Sequence, residues 1–590
     1  MYILRDALRK LAVCPLRGCF MLTAKKWLSV AAASSIAASA WGLSPGATVD
    51  NFRLLDHRGA AHELHYYSDM KAVVLMAQAN GCDVASAAIP KLEELRNRYE
   101  ARNVRVFMLN SNLKDDRASI NAMADTLGTK VPVLEDPLQL IGESLDATRA
   151  GEVFVINPVG WKLAYRGPVE QVAPVVEALA SGTPVTPAKV DVKGCAVAMP
   201  ERDKRAAHAK ISYSKEIAPL LVDKCVTCHR DGGIAPWQMS SYEIVKGFAP
   251  MIREVVRTQR MPPWHADPHY GVFKNDRSMT GDQVKTLVHW IEAGAPRDNA
   301  PDPLKSLERG WPEWENGTPD LVVETPSFTV PATGTIEYEN PIVKNPLGKD
   351  VWVRAIEFNP GDRAVVHHIL AYGVKEGGGG GGLAGLGTYL AGYAPGGGVV
   401  RFPPDSGVLL TKDMSFRFQM HYTASGKPST DVTKIGIYFT DEPPKYPLRQ
   451  FVLLDPRLKI PANTKDHRIE APPRTFDRDV LIYSLTAHSH YRGKASKFVA
   501  QYPDGRQEIL LSVPAYDFNW QTTYELKEPK LLPKGTKLLY DTVYDNSAQN
   551  KANPDPSIDV RWGEQTWQEM IYGNVRYRFV EETAQMTQAP

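Results

Sequence analysis

No cysteine follows Cys228 in a chain of 590 residues. Whatever folds after that point has no disulfide to staple it and must rest on buried apolar area alone. From about Thr318 onward no long segment keeps a helical period. Short runs rich in β-formers recur instead: Val351–Phe358, Met414–Tyr422, Lys434–Phe439, Asp479–Thr486, Ser496–Tyr502, Lys537–Tyr544 and Val575–Val580. Turn residues separate them, and the glycine run 377–382 can only be a loop. This half is too long for one ordinary sandwich, so two are expected, 318–450 and 451–590. The 44 glycines and 45 prolines fit loop-rich β structure and exclude collagen or a long coiled coil.

The first half reads differently. Residues 41–185 alternate apolar β-runs (Lys71–Gln78, Val104–Asn110, Glu152–Asn157) with a helical pattern carrying Ile89, Leu92, Leu95 and Tyr99. That order predicts an α/β domain. Composition makes 186–208 a linker, 209–300 a helical domain and 301–317 a second linker. Val284, Leu287, Val288 and Ile291 repeat at helical spacing, and Gly294 and Pro296 end that helix. Before all this, Lys25 and Lys26 precede an apolar stretch ending Ala38-Ser39-Ala40, which predicts a secretory signal over 1–40. Cleavage there removes Cys14 and Cys19, and six basic residues against one acidic, turning a net charge of +2 into −3. Neither value favours nucleic acid. No later apolar run is long enough for a membrane span, so a periplasmic or secreted protein with no stable span is expected.

Cys225-Val226-Thr227-Cys228-His229 has the spacing of a c-type haem attachment sequence. Two thiols can form thioethers with the haem vinyl groups, and the adjacent imidazole can ligate iron. A redox disulfide or half a zinc site are the competing readings. For the sixth ligand Met261 is favoured, in the stiff loop Met261-Pro262-Pro263-Trp264; Met239, Met251 and Met279 are its rivals. The order of attachment motif, Met-Pro loop and closing helix resembles the class I cytochromes c.

Five of the 14 histidines cluster in three places in the last half: His367 with His368, His421, and His488 with His490. On a strand, i and i+2 share a face, so His488 and His490 can grip one ion. Adjacent His367 and His368 can do so only at a bulge or a strand end. Imidazole-only ligation suits copper or zinc, and a thioether would select copper. Met570 is a candidate, although a lone methionine is more often core.

These segments resemble the copper type II, ascorbate-dependent monooxygenases, the family of peptidylglycine α-hydroxylating and dopamine β-monooxygenases. The carriers are Val366-His367-His368-Ile369-Leu370, Gln419-Met420-His421-Tyr422, Ala487-His488-Ser489-His490 and Glu569-Met570-Ile571. The resemblance implies two copper ions on two jelly-roll-like sandwiches facing a solvent cleft. His367, His368 and His421 would hold the electron-supplying copper; His488, His490 and Met570 would hold the catalytic, oxygen-binding one. Unlike the animal enzymes, the region lacks disulfides, and no substrate-binding pattern of theirs is present.

Residues 41–185 resemble the thioredoxin-like redoxins, near the peroxiredoxins, through Gly46–Val49, the Lys71–Gln78 run before Cys82, Val131–Asp136 and Glu152–Pro158. Cys82 stands where that family keeps its reactive cysteine. There is no Cys-X-X-Cys, Leu75 and Ala79 replace the family's Pro and Thr, and Gly151 replaces a proline. A domain that has lost thiol catalysis and keeps a structural or docking role is expected, and Cys82 and Cys195 are a candidate disulfide.

The expected whole is multidomain: an α/β thioredoxin-like domain, an all-α cytochrome c domain and two all-β copper sandwiches. It would be an exported copper-dependent monooxygenase hydroxylating a C–H bond with dioxygen, with one covalent haem c and an external donor (ascorbate or a redox protein). The substrate is a small molecule or peptide. The alternatives are an electron-transfer or copper-binding protein without hydroxylase activity and, more weakly, a cytochrome-driven thiol peroxidase.

Overall fold

The computed structural model describes residues 43–307, 312–375 and 387–583. The expected signal over 1–40, with Cys14 and Cys19, and the glycine run 377–382 lie outside the described residues.

The amino-terminal sheet has six strands in the order Val133–Glu135, Val104–Asn110, Ala72–Gln78, Glu152–Asn157, Lys162–Pro168, Ala188–Lys189. Every residue of Ala72–Gln78 is buried, because a central strand covered on both faces has no polar side to show. Its first three strands are parallel and Glu152–Asn157 runs antiparallel to Ala72–Gln78. The helix Asp83–Tyr99 buries Ala85, Ala88, Ile89, Leu92, Leu95 and Tyr99 along one face. Cys82 is its N-cap residue.

Residues 186–208 are not a free linker. Ala188–Lys189 extends the sheet edge beside Lys162–Pro168, and Cys195–Ala196 pairs with Arg149–Ala150. Two one-turn helices follow, Pro200–Asp203 and Arg205–His208. Nor does 209–300 form a separate all-α domain. Its α-helices, Ala218–Lys224, Tyr242–Gly247, Ala249–Arg257 and Gly281–Glu292, run for only six to twelve residues. They do not enclose a core of their own. Tyr213, Ile217, Leu221, Leu287, Val288 and Trp290 instead share one continuous apolar core with Leu75, Phe107, Leu140, Ile141 and Leu145 of the α/β domain.

The segment between Met261 and Asn275 turns the other way. Phe273 bridges to Leu526, and the N–H groups of Lys274 and Lys527 donate to the carbonyls of Glu525 and Val272. Trp264 packs edge-on against Tyr524 and Phe273. The Met-Pro loop and the residues after it thus anchor the helical segment on the last β domain.

Two pairs of sheets make up the rest. In the first pair, one sheet is built around Val351–Asn359 and the other runs Ile342–Val343, Met414–Tyr422, Val366–Lys375, Thr388–Tyr393. In the second, the sheet Arg449–Leu454, Tyr572–Phe579, Val480–His488, Thr523–Leu532 faces His467–Thr475, Lys537–Tyr544, Gly493–Gln501, Gln507–Val513. Tyr572–Phe579 shows the alternation that one buried face demands, with Gly573, Val575, Tyr577 and Phe579 inward. Each pair has its own apolar core. Among the described residues no helix is long and apolar enough to cross a membrane.

Candidate functional site

His367 and His368 open the strand Val366–Lys375, and the register with Met414–Tyr422 shifts between Val366 and His368. The extra residue breaks the alternation that would send neighbouring side chains to opposite faces. His421 lies directly across from His368. The three rings therefore converge: His367 and His368 Nδ1 are 3.1 Å apart, and His421 and His368 Nδ1 3.3 Å apart. These are close to the edges of a coordination polyhedron with metal–nitrogen bonds of about 2.0–2.1 Å. All three side chains are buried, with ligand atoms within 4.8 Å of one another.

His488 ends the strand Val480–His488, so His490 lies just beyond it. Their ring centroids are 5.2 Å apart. His488 faces Tyr572 across the antiparallel pair, and continuing that register brings Met570 opposite His490. The N–H groups of His490, Arg492 and Met570 all donate to the Glu569 carboxylate, at 2.8, 2.6 and 3.2 Å. Glu569 is fully buried, and burial pushes its carboxyl up to about 7. It is the clasp that sets His490 and Met570 side by side. Sequence reading passed over it, although an acidic residue inside an apolar approach to a strand is a visible signal.

Burial holds every imidazole of the constellation neutral. It pushes His367 and His488 down to about 4 and His490 to about 3; His421 falls to about 2, with His367 adding to the burial effect, and His368 is held far below its ordinary value. Neutral imidazoles keep a lone pair for a metal. Second hydrogen bonds orient two of them: His488 Nδ1–H donates to Gln521 Oε1 at 2.7 Å and His490 Nδ1–H to the Gln568 carbonyl at 3.2 Å. His367 Nε2 and His490 Nε2 are buried with no hydrogen-bond partner. An orphaned nitrogen such as His490 Nε2, whose Nδ1–H is already engaged, is what a metal satisfies, so the donor set fits copper held by imidazole and thioether.

The two groups do not face each other across open solvent. Their nearest ring centroids, His368 and His488, are 6.4 Å apart. Gln521 spans them, its amide N–H reaching His368 Nδ1 at 3.4 Å while its carbonyl holds His488. Phe518 stacks on His367 and meets His421 and His490. The cleft implied by the resemblance is thus closed here by two side chains of one loop, which carries no sequence pattern that would have flagged it. Against this cluster lies a cavity of about 280 Å³, lined by His368, His488, Met570, Tyr572 and Trp520 among others.

The cysteine motif lies behind the loop 395–398 that lines this cavity. The N–H groups of Cys228 and His229 both donate to the Cys225 carbonyl, closing a turn, and both thiols are free. Burial pushes the Cys225 thiol up to about 12. His229 Nδ1–H donates to the Trp237 carbonyl at 3.0 Å, which leaves the Nε2 lone pair for another partner. Two free thiols and an oriented imidazole fit a covalent haem. Met261 is half-buried; among its rivals Met239 is in the apolar core and Met251 is 47% exposed. Gly396, on the loop whose neighbours Pro395, Gly397 and Gly398 line the cavity, has φ +80°, and a Cβ there would lie 3.2 Å from Cys228 Sγ.

Cys82 and Cys195 are joined in a disulfide, and Cys82 is buried. Gly151, where the redoxin pattern has proline, takes φ +94° in the turn that follows Arg149–Ala150, the partner of the Cys195 strand.

Residues 45–166 match the AhpC/TSA family. The amino-terminal domain is thioredoxin-like. Among solved structures the chain is similar to a hypothetical protein from Sinorhizobium meliloti 1021, at 20% identity over 26% of this chain and 94% of that one, with a TM-score of 0.25. It is also similar to a thiol:disulfide interchange protein DsbE from Chlorobium tepidum (16% identity, 24% of this chain, 99% of that one, TM-score 0.22). A third is the peroxidoxin BcpB from Mycobacterium tuberculosis (16%, 24%, 97% and 0.21).

Proposed function

We propose that the chain is an exported copper-dependent monooxygenase that inserts one oxygen atom of dioxygen into a C–H bond, with electrons delivered through a built-in c-type haem. One observation carries the reading: His367, His368 and His421 bring their ligand atoms within 4.8 Å of one another, and His368, His488 and Met570 line one cavity beside them. His367, His368 and His421 would hold one copper, and His488, His490 and Met570 the other. Cys225 and Cys228 would bear the haem, and His229 and Met261 would hold its iron. Bound copper and haem would supply one-electron storage and dioxygen reduction. The overall balance is two electrons and two protons in, one oxygen into product and one into water.

The chain's own residues do the rest. Glu569 fixes the spacing of His490 and Met570 through three backbone N–H groups. Gln521 orients His488 and couples it to His368. Phe518 excludes water between the donor sets. The cavity volume suits a small molecule or a single projecting group of a larger one. Its loop at Gly396 meets Cys228, which favours electron entry from the haem side. The buried Cys82–Cys195 disulfide leaves the redoxin domain without a free thiol, which favours a scaffold over a thiol peroxidase. That disulfide also suits an oxidising compartment outside the cytosol.

Metal and haem quantitation tests the reading. Wild type should carry two coppers and one haem; Met570→Ala and His421→Ala should each lose one copper and keep the haem. In stopped flow, reduced haem should reoxidise with dioxygen in the copper-loaded protein and much more slowly in His421→Ala. Unchanged copper counts in both variants would overturn the proposal.

A further inference from the structure

A second cluster of metal-ligating side chains lies away from the cavity, where the redoxin domain meets the helical segment. Glu143 comes from the helix Leu140–Leu145, Glu201 from Pro200–Asp203, His208 from Arg205–His208 and His289 from the last turn of Gly281–Glu292. One ligand atom from each of Glu201, His208 and His289 lies within 4.8 Å of the others. His289 Nε2–H donates to Glu143 Oε2 at 2.9 Å, and His208 Nε2 is 3.5 Å from Glu201 Oε2.

The polar atoms here are under-used. His208 is 7% exposed, His289 3% and Glu143 3%. His208 Nε2 and Glu143 Oε1 are buried with no hydrogen-bond partner. Orphaned buried atoms of this kind call for an explanation, and an ion is one of the few that satisfies an imidazole nitrogen and a carboxylate oxygen together. Two carboxylates also balance a divalent charge in a low-dielectric site.

We propose that Glu143, Glu201, His208 and His289 form a third metal site, taking a divalent zinc-class ion, that pins the redoxin domain to the helical segment. The donor set has two imidazoles, two carboxylates and no sulfur, so it suits zinc and disfavours Cu(I). The rings of His208 and His289 stack at 4.0 Å and 8°. Parallel rings cannot both aim a lone pair at one ion, so binding tilts one of them open. Four short segments would then be tied to one centre. Two of them are the one-turn helices that follow Cys195, so the ion would hold the same linker as the disulfide.

The test is zinc counting on the haem-loaded, full-length protein after its copper sites have been saturated. Chelator-stripped, copper-reloaded wild type is dialysed against micromolar Zn²⁺ and its metals are measured by mass spectrometry. Wild type should hold one zinc that Glu201→Gln binds at least about tenfold more weakly and that His208→Gln lacks. Copper counts should match in all three, which separates this proposal from the copper reading. Glu201 is half-buried at the edge of the cluster, so Glu201→Gln keeps the result readable if His208→Gln misfolds. Equal zinc content in wild type and Glu201→Gln, or zinc that leaves with His421→Ala instead, would overturn the site.

Discussion

The redoxin domain and the two β domains solve the same problem with opposite chemistry. The first keeps a cysteine at the start of its first long helix and locks it in a disulfide. The second pair of domains has no cysteine, buries four imidazoles and half-buries a fifth, His488. On the proposed reading, the domain whose thiol has become a staple serves as a support, and where staples are absent the polar groups left inside would serve as ligands. A buried polar group is costly unless it is satisfied. In the redoxin domain hydrogen bonds and ion pairs meet much of that cost, as at Arg166 with Glu152 and at Asp136, whereas at His367 and His490 it is left open at a ring nitrogen.

That contrast can be broken by showing that the redoxin domain matters to the metals, or sharpened by showing that it matters only to stability. The largest effect should come from Arg117, whose guanidinium pairs with Glu135 at 2.8 Å and with Asp267 at 2.7 Å, joining the redoxin domain to the segment after the Met-Pro loop. Arg117→Ala leaves the buried Asp267 carboxylate without its cation and should cost about 3–5 kcal/mol in denaturant unfolding. Removing the disulfide with Cys82→Ser and Cys195→Ser should cost about 3 kcal/mol and leave the copper count unchanged; a lost copper would break the contrast.

Asp136 gives a pH handle of similar or smaller size. It is buried and accepts from Ser111 Oγ and the Gly142 N–H, and burial pushes it up to about 6. Its folded-state pKa is above the unfolded value near 3.9. The protonated form is therefore favoured by folding, and that stability is fully present below about pH 4 and lost as pH rises through about 6, by up to about 3 kcal/mol. Asp136→Asn should flatten the stability profile between those limits. The smallest effect belongs to Tyr66→Phe, which removes a 2.7 Å hydrogen bond to Asp545 of the last β domain. A loss of about 1–2 kcal/mol, without change in haem or copper, is expected by the same unfolding assay.

Much of the fold could be read from pattern where a single face is buried or a cap is explicit. The helix Gly281–Glu292 shows both, with its apolar i, i+3, i+4, i+7 series and a Thr280–Gln283 capping box. Lys434–Phe439 and Lys537–Tyr544 have the same limits in sequence and structure. The strand that carries His367 and His368 was not read as a strand. It is buried on both faces over most of its length, so no alternation marks it. The apparent linker 186–208 has linker composition but is held by edge pairing and a distant cysteine, neither of which leaves a local signal. At the site, histidine spacing pointed to the ligands, whereas Gln521 and Phe518 reach them from a loop whose partners lie about 150 residues earlier.

The contact between Gly396 and Cys228 has a temporal side. The cysteine leaves the ribosome long before the loop that comes to rest on it, and the β domain presenting that loop closes only after its strands to Phe439 have been made. Cys228 stays half-buried in the finished fold, so a group added to its sulfur meets less obstruction while the loop is still absent or undocked. On the proposed haem reading, attachment before β-domain closure is then the easier order of assembly.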